Sequence, residues 1–337
     1  MFSTTLTLPR LDDLHVHLRQ DEMLQWTADE TYRGGAGRVL AMPNLKPPVI
    51  TPEQALNYKS ELLKVNSNLD YLMCLYLHDS LTSEDLHRAT KMGVNNLKMY
   101  PAGVTTNSQY GVDNIKSFYP LFETMQELDM IFNIHGEVPS DDANNICVLN
   151  AEISFLPLLE QVHKDFPRLR MILEHITTKE AVKFVANSND KIAATITVHH
   201  LDLTVDNWAG QNHNFCKPVA KYPVDRNALR DIVKTGSAKF FLGSDSAPHK
   251  REMKETACGC AGVYTATYLA AYLADCFERL DCLPLLTDYA TKFGADFYRL
   301  PYQTQMLNLE RTPTVVANEI NGVVPFRAGQ TLNWKLA

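Results

Sequence analysis

No apolar run in the 337-residue chain reaches the roughly 18 residues of a membrane helix, so no membrane span is expected. Basic residues are in deficit. Thirty-two Lys and Arg stand against 39 Asp and Glu, a net charge of −7 with a pI near 5.9. A chain of that balance offers little to a phosphate backbone, so nucleic acid is not the expected partner. The seven Cys are odd in number and show no pairing pattern. A reducing, cytoplasmic setting is expected, with the Cys as small apolar core residues. Met1 to Arg10 lack a basic segment followed by an apolar one, so no secretory signal is expected. Fifteen Gly and 17 Pro are near average, which excludes collagenous and low-complexity classes. No internal sequence repeat is visible.

What the chain does have is apolar residues, 45% of the total, and a rhythm. Short runs rich in Val, Ile, Phe and Leu recur, each followed by a helix-like stretch. The expected strands end near His17, Asn44, Leu77, Lys98, His135, His175, Val198 and Asp245. From His17 to Asp245 the mean interval is about 33 residues, close to one βαβ unit of roughly 30. Eight such units predict an α/β chain folded as a (β/α)₈ TIM barrel, with an open doubly wound sheet as the rival. Thr51-Pro52-Glu53-Gln54 and Thr82-Ser83-Glu84-Asp85 read as helix starts. Further helices are expected over 117–128, from Thr178 to about Ala186, and over 226–234, 262–280 and 285–298. The barrel core is expected over about 11–300, with 301–337 as a tail over it. No linker is visible, so 1–337 reads as one domain.

Polar residues at the strand ends carry the chemistry. In Asp13-Leu14-His15-Val16-His17-Leu18-Arg19, alternation puts His15 and His17 on one face of a strand, where two neutral imidazoles can share a metal ion. Alone, such a pair is as readily a coincidence at a strand edge. The fifth strand runs into His135, the sixth into His175, and the eighth into Asp245. In a barrel these ends face one mouth, where active sites sit. Lys98 ends the fourth strand and points into the same mouth. An ammonium cannot ligate a cation, whereas the amine of a buried Lys is nucleophilic. Alone, Lys98 is as readily a surface residue or a phosphate contact. Arg19 would grip a carboxylate through parallel hydrogen bonds, or else form a rim salt bridge. Asn44 and His249 can add donors.

These residues resemble a known family. Asp13-Leu14-His15-Val16-His17-Leu18-Arg19, Met42-Pro43-Asn44 and Lys98-Met99-Tyr100-Pro101 look like the amidohydrolase superfamily. Gly243-Ser244-Asp245-Ser246-Ala247-Pro248-His249 and Cys258-Gly259-Cys260-Ala261-Gly262 look like its dihydroorotases of the short, stand-alone type. The resemblance implies a zinc-dependent cyclic amidohydrolase that interconverts N-carbamoyl-L-aspartate and L-dihydroorotate in pyrimidine biosynthesis. It implies two Zn²⁺ per subunit, bridged by Lys98 as N6-carboxylysine and by a hydroxide. His15, His17 and Asp245 would hold the inner ion, and His135 and His175 the outer. Asp245 would also be the general base and then acid. Arg19, Asn44 and His249 would bind the substrate's carboxylate, and the backbone of Ala261 the ring. Thr105 and Thr106 would lie on a lid. Lys217 is a departure: bacterial relatives often have an apolar residue there, and the family contact is through backbone. A cytoplasmic homodimer acting on a small molecule is implied, with no membrane partner.

Two rivals remain at this level. Another cyclic amidohydrolase, such as a dihydropyrimidinase or allantoinase, has no carboxylate for Arg19, Asn44 and His249 to hold. A catalytically silent barrel would be expected to have lost ligands, and all six positions are filled here. Gly34-Gly35-Ala36-Gly37 precedes a strand and so is no dinucleotide fingerprint. His78, His87, His163 and His213 read as surface or packing residues, and His199 and His200 have no assigned role.

Overall fold

The computed structural model describes residues 4–109, 111–112 and 114–337. Tyr110, Asp113 and the first three residues of the N-terminal stretch lie outside them. A strand β1 (Thr5–Pro9) precedes eight parallel strands: β2 (Leu11–Val16), β3 (Ala36–Ala41), β4 (Asp70–Tyr76), β5 (Asn96–Met99), β6 (Ile131–Ile134), β7 (Arg170–Leu173), β8 (Ile192–Ile196) and β9 (Phe240–Leu242). They hydrogen-bond in sequence order. β5 to β9 are buried on both faces, as expected of strands sheathed by helices.

The ring closes just beyond the last strand. Asp245 N donates to His15 O at 2.9 Å, and His17 N to Ser246 O at 3.0 Å. The buried carboxylate of Asp13 reinforces this seam, accepting from Ser244 N at 2.8 Å and from Ser244 Oγ at 2.6 Å. The TIM barrel is therefore as expected, and an open sheet is not what forms. The strands end within three residues of the sequence reading.

The helix starts behave as their caps dictate. Thr51 and Thr82 each form a reciprocal capping box, with Gln54 and Asp85. Thr178 caps the helix Lys179–Asn187, and Pro223–Lys234 precedes β9. Three readings need correction. Residues 117–128 split into a 3₁₀ turn, Ile115–Phe118, and a helix, Tyr119–Glu127. Gly262 to Thr265 is not helical, because Val263 pairs with Ser246 in extended form; the helix proper is Leu269–Arg279. The 285–298 stretch is broken by a π segment, Asp288–Lys292, before Phe293–Tyr298.

The tail crosses the N-terminal end of the barrel and then climbs its flank. Arg38 donates to Pro301 O at 3.0 Å, and Gln303 to Asp12 at 3.1 Å. β10 (Met306–Glu310) then pairs antiparallel with β1. Farther on, Phe326 N donates to Tyr264 O at 2.8 Å, and Trp334 is buried. The Cys expectation holds only in part. All seven are free, but Cys147 and Cys258 are exposed and Cys260 is half-buried.

Candidate active site

The C-terminal strand ends surround one pocket of about 340 Å³. His15, His17, Arg19, Asn44, Thr105, Thr106, His135, His175, Lys217, Asp245 and Ala261 all line it. Lys98 lies beneath, 0% exposed. His249 stands behind, against Arg19 and Ala261. All the residues singled out from sequence are thus gathered at one end of the barrel.

The metal-ligating types are in mutual contact. His17 Nε2 is 3.0 Å and His15 Nε2 3.5 Å from Asp245 Oδ1. The ligand atoms of these three residues all lie within 4.8 Å of one another. The His175 ring lies 4.9 Å from both the His15 and the His135 rings. Burial, then the charges of neighbours such as Lys98, pushes the protonation of His15, His17 and His175 below the usual imidazole range. A neutral imidazole is the form that binds a metal. Burial likewise lowers the Lys98 pKa, against the pull of Glu174 and Asp245.

The residues fit a pair of cations. His175 Nδ1 and Lys98 Nζ are buried without a hydrogen-bond partner. Such orphans are costly unless something else meets them. Cations would satisfy the imidazole, and Lys98 would share their pocket only as an anion.

Two carboxylates escaped the sequence reading. Glu174 Oε2 lies 3.0 Å from His15 Nδ1, close but poorly aligned, and accepts from Thr195 Oγ1 at 2.5 Å. Glu137 Oε2 lies 2.8 Å from His135 Nε2, and its other oxygen 3.5 Å from Lys221 Nζ. Burial raises both carboxyls, but His15 and Lys98 around Glu174, and His135 and Lys221 around Glu137, bring the net pKa below the ordinary value. Each therefore sits as an anion beside an imidazole: Glu137 is hydrogen-bonded to His135, and Glu174 lies against His15. The only signal was adjacency: Glu174 precedes His175, and Glu137 follows His135 by two.

Backbone geometry is specialised here. Arg19, His175 and Asp245 have φ of 62°, 41° and 46°. Non-glycine residues in this region are uncommon and concentrate at functional sites. Gly262, at φ 154°, permits a close approach, since a Cβ there would meet Ala247 O at 2.5 Å.

The end of the pocket beside Arg19 carries its guanidinium charge. Arg19 Nη2 and Ala261 O both lie 3.0 Å from His249 Nε2. One nitrogen cannot both accept from the guanidinium and donate to the carbonyl, so His249 Nε2 satisfies only one of these two neighbours at a time. Burial and Arg19 together push the His249 pKa down to about 2. Thr105 and Thr106 line the pocket. Asn44 Nδ2 donates to Thr106 O at 3.0 Å, and Thr106 Oγ1 to Ala261 O at 3.3 Å. His199, His200 and Cys216 form a second buried group with ligand atoms within 4.8 Å. Two of its members are engaged within the protein, His200 Nε2 and Cys216 Sγ both contacting Pro218 O at 3.0 and 3.3 Å, while both ring nitrogens of His199 are buried without a hydrogen-bond partner.

No family model matches the chain. Individual relatives do. A probable dihydroorotase from Schizosaccharomyces pombe is 44% identical over 336 residues, covering 98% of both chains. The crystal structure of a Saccharomyces cerevisiae dihydroorotase in complex with 5-fluoroorotic acid matches with a TM-score of 0.95 and 39% identity, over 99% of each chain. A Campylobacter jejuni dihydroorotase structure matches with a TM-score of 0.90 and 32% identity, over 100% of this chain and 98% of that one. With its strand-end residues gathered in one pocket and such relatives matched from end to end, the chain belongs to the dihydroorotase family of the amidohydrolase superfamily.

Proposed function

We infer that the chain is a cyclic amidohydrolase that interconverts L-dihydroorotate plus water and N-carbamoyl-L-aspartate in pyrimidine biosynthesis. The observation that carries this is one pocket holding four imidazoles and Asp245 beside the half-buried guanidinium of Arg19. A carboxylated cyclic amide suits both halves. Arg19, with His249 behind it, binds the carboxylate through charge-assisted hydrogen bonds. Asn44, the Ala261 backbone and the lid residues Thr105 and Thr106 orient the ring and exclude bulk water, with Lys217 contributing at the rim. Water attacks the ring amide carbonyl. Asp245 takes the proton from that water and delivers it to the ring nitrogen as the C–N bond breaks. Ring closure is the same sequence reversed.

Two Zn²⁺ ions fit the ligand set, His15, His17 and Asp245 for one and His135 and His175 for the other, with carboxylated Lys98 between them; when bound they supply the charge that activates water and polarises the carbonyl. By analogy with the family, residues 1–337 form one domain and the protein is a cytoplasmic homodimer. Seven free Cys and the lack of any described helix long and apolar enough to cross a membrane are compatible with that setting.

A substrate panel tests the assignment: dihydroorotate is expected to be turned over and dihydrouracil, the same ring without a carboxylate, to be a poor substrate. Preferred turnover of dihydrouracil would overturn it. Arg19→Ala is expected to raise the KM for dihydroorotate by about 100-fold, the order of a buried charged hydrogen-bond pair, with zinc content unchanged. Equal losses of zinc and substrate affinity would assign Arg19 a structural role instead.

A further inference from the structure

Lys254 is a buried cation that the mechanism above does not use. It is 3% exposed. No carboxylate among the described residues lies within ion-pair distance of its Nζ. The ammonium donates to two backbone carbonyls, Phe215 O at 2.9 Å and Gly262 O at 2.5 Å. These belong to different loops. Phe215 leads into Cys216-Lys217-Pro218 after β8, and Gly262 follows Ala261 after β9. Lys217, Ala261 and Gly262 all line the pocket. Gly262 N also donates to Phe215 O at 2.9 Å, so the two loops meet at the ammonium. The backbone of Lys254 is itself held, its carbonyl accepting from Asn212 Nδ2 at 3.0 Å.

We propose that Lys254 is a positioning residue for the anionic substrate: it pins the two loops that carry Lys217 and Ala261, and leaves a positive charge for the incoming carboxylate to offset. The inference rests on the function proposed above. Two carbonyls could be bridged by a neutral amide, and a buried charge with no counter-ion is a costly way to do it. That cost is visible in the lysine's own protonation, which burial brings down to about 8, with Arg19 adding to the effect. The missing counter-charge has an evident source. Lys254 lies within electrostatic reach of both Arg19 and His249, the end of the pocket that takes the carboxylate. A ligand anion bound there stabilises all of these groups at once.

The test compares Lys254→Met with the parent zinc enzyme. The expected result is a KM for dihydroorotate and a dissociation constant for 5-fluoroorotate, by calorimetry, each raised about tenfold, with kcat within about threefold and zinc content unchanged. A KM within about twofold of the parent overturns the inference, as does a fall in kcat with KM unmoved. If Lys254→Met does not fold, Lys254→Gln decides, since it keeps a donor for one carbonyl and removes the charge. A raised KM at parental kcat supports the assignment, and parental KM overturns it. Failure of the underlying function is distinguishable, because there the parent itself would not turn over dihydroorotate.

Discussion

Lys98→Met is expected to abolish turnover, lowering kcat by at least about four orders of magnitude, with most of the zinc lost. The argument starts from burial. Lys98 is 0% exposed, its Nζ has no hydrogen-bond partner, and the Tyr100 ring centroid lies 5.1 Å away. Apart from that ring contact, nothing in the fold itself uses the amine. Replacing an unpaired buried ammonium by an apolar side chain of similar volume is commonly neutral or stabilising. The variant is therefore expected to keep or raise its thermal midpoint without metal, while losing activity and zinc together. That divergence separates a ligand from a packing residue. Normal turnover with full zinc content would remove Lys98 from the centre and with it the carboxylated bridge.

Asp245→Asn is expected to lower kcat by about 10²- to 10⁴-fold, the range of a lost general base. Asn preserves the shape of the side chain and is among the residues most tolerant of positive φ. The backbone at φ 46° and the seam bond from Asp245 N to His15 O should therefore survive. 5-Fluoroorotate affinity is expected within about fivefold of the parent, because Arg19 and His249 are untouched. A kcat within tenfold of the parent would show that the proton is carried by another group.

The fold was legible because eight strand ends were marked twice, by an apolar run and by a polar residue after it. Caps at Thr51, Thr82 and Thr178 were legible because their hydrogen bonds are local. The misread stretches had no such local signal. Gly262 to Thr265 are weak helix formers and are drawn into extended form by Ser246, 17 residues away and just beyond β9. The π segment at Asp288–Lys292 likewise depends on packing against the barrel. At the site, the residues that gather in the pocket were legible from type and spacing. Glu174 and Glu137 were not, because a carboxylate beside a histidine in sequence gives no indication of which imidazole it will meet. Glu174 meets His15, from another strand. Lys254 was hidden for a similar reason: its partners are carbonyls, which every residue has.

The barrel's seam has a consequence for how the enzyme comes into being. The two amides that close the ring belong to Asp245 and His17, the residues whose side chains lie 3.0 Å apart at the centre. Circularisation of the sheet and the meeting of the His17 and Asp245 side chains are thus the same event. If His15, His17 and Asp245 hold zinc as proposed, zinc retention during refolding is expected to begin only once the sheet becomes a cylinder.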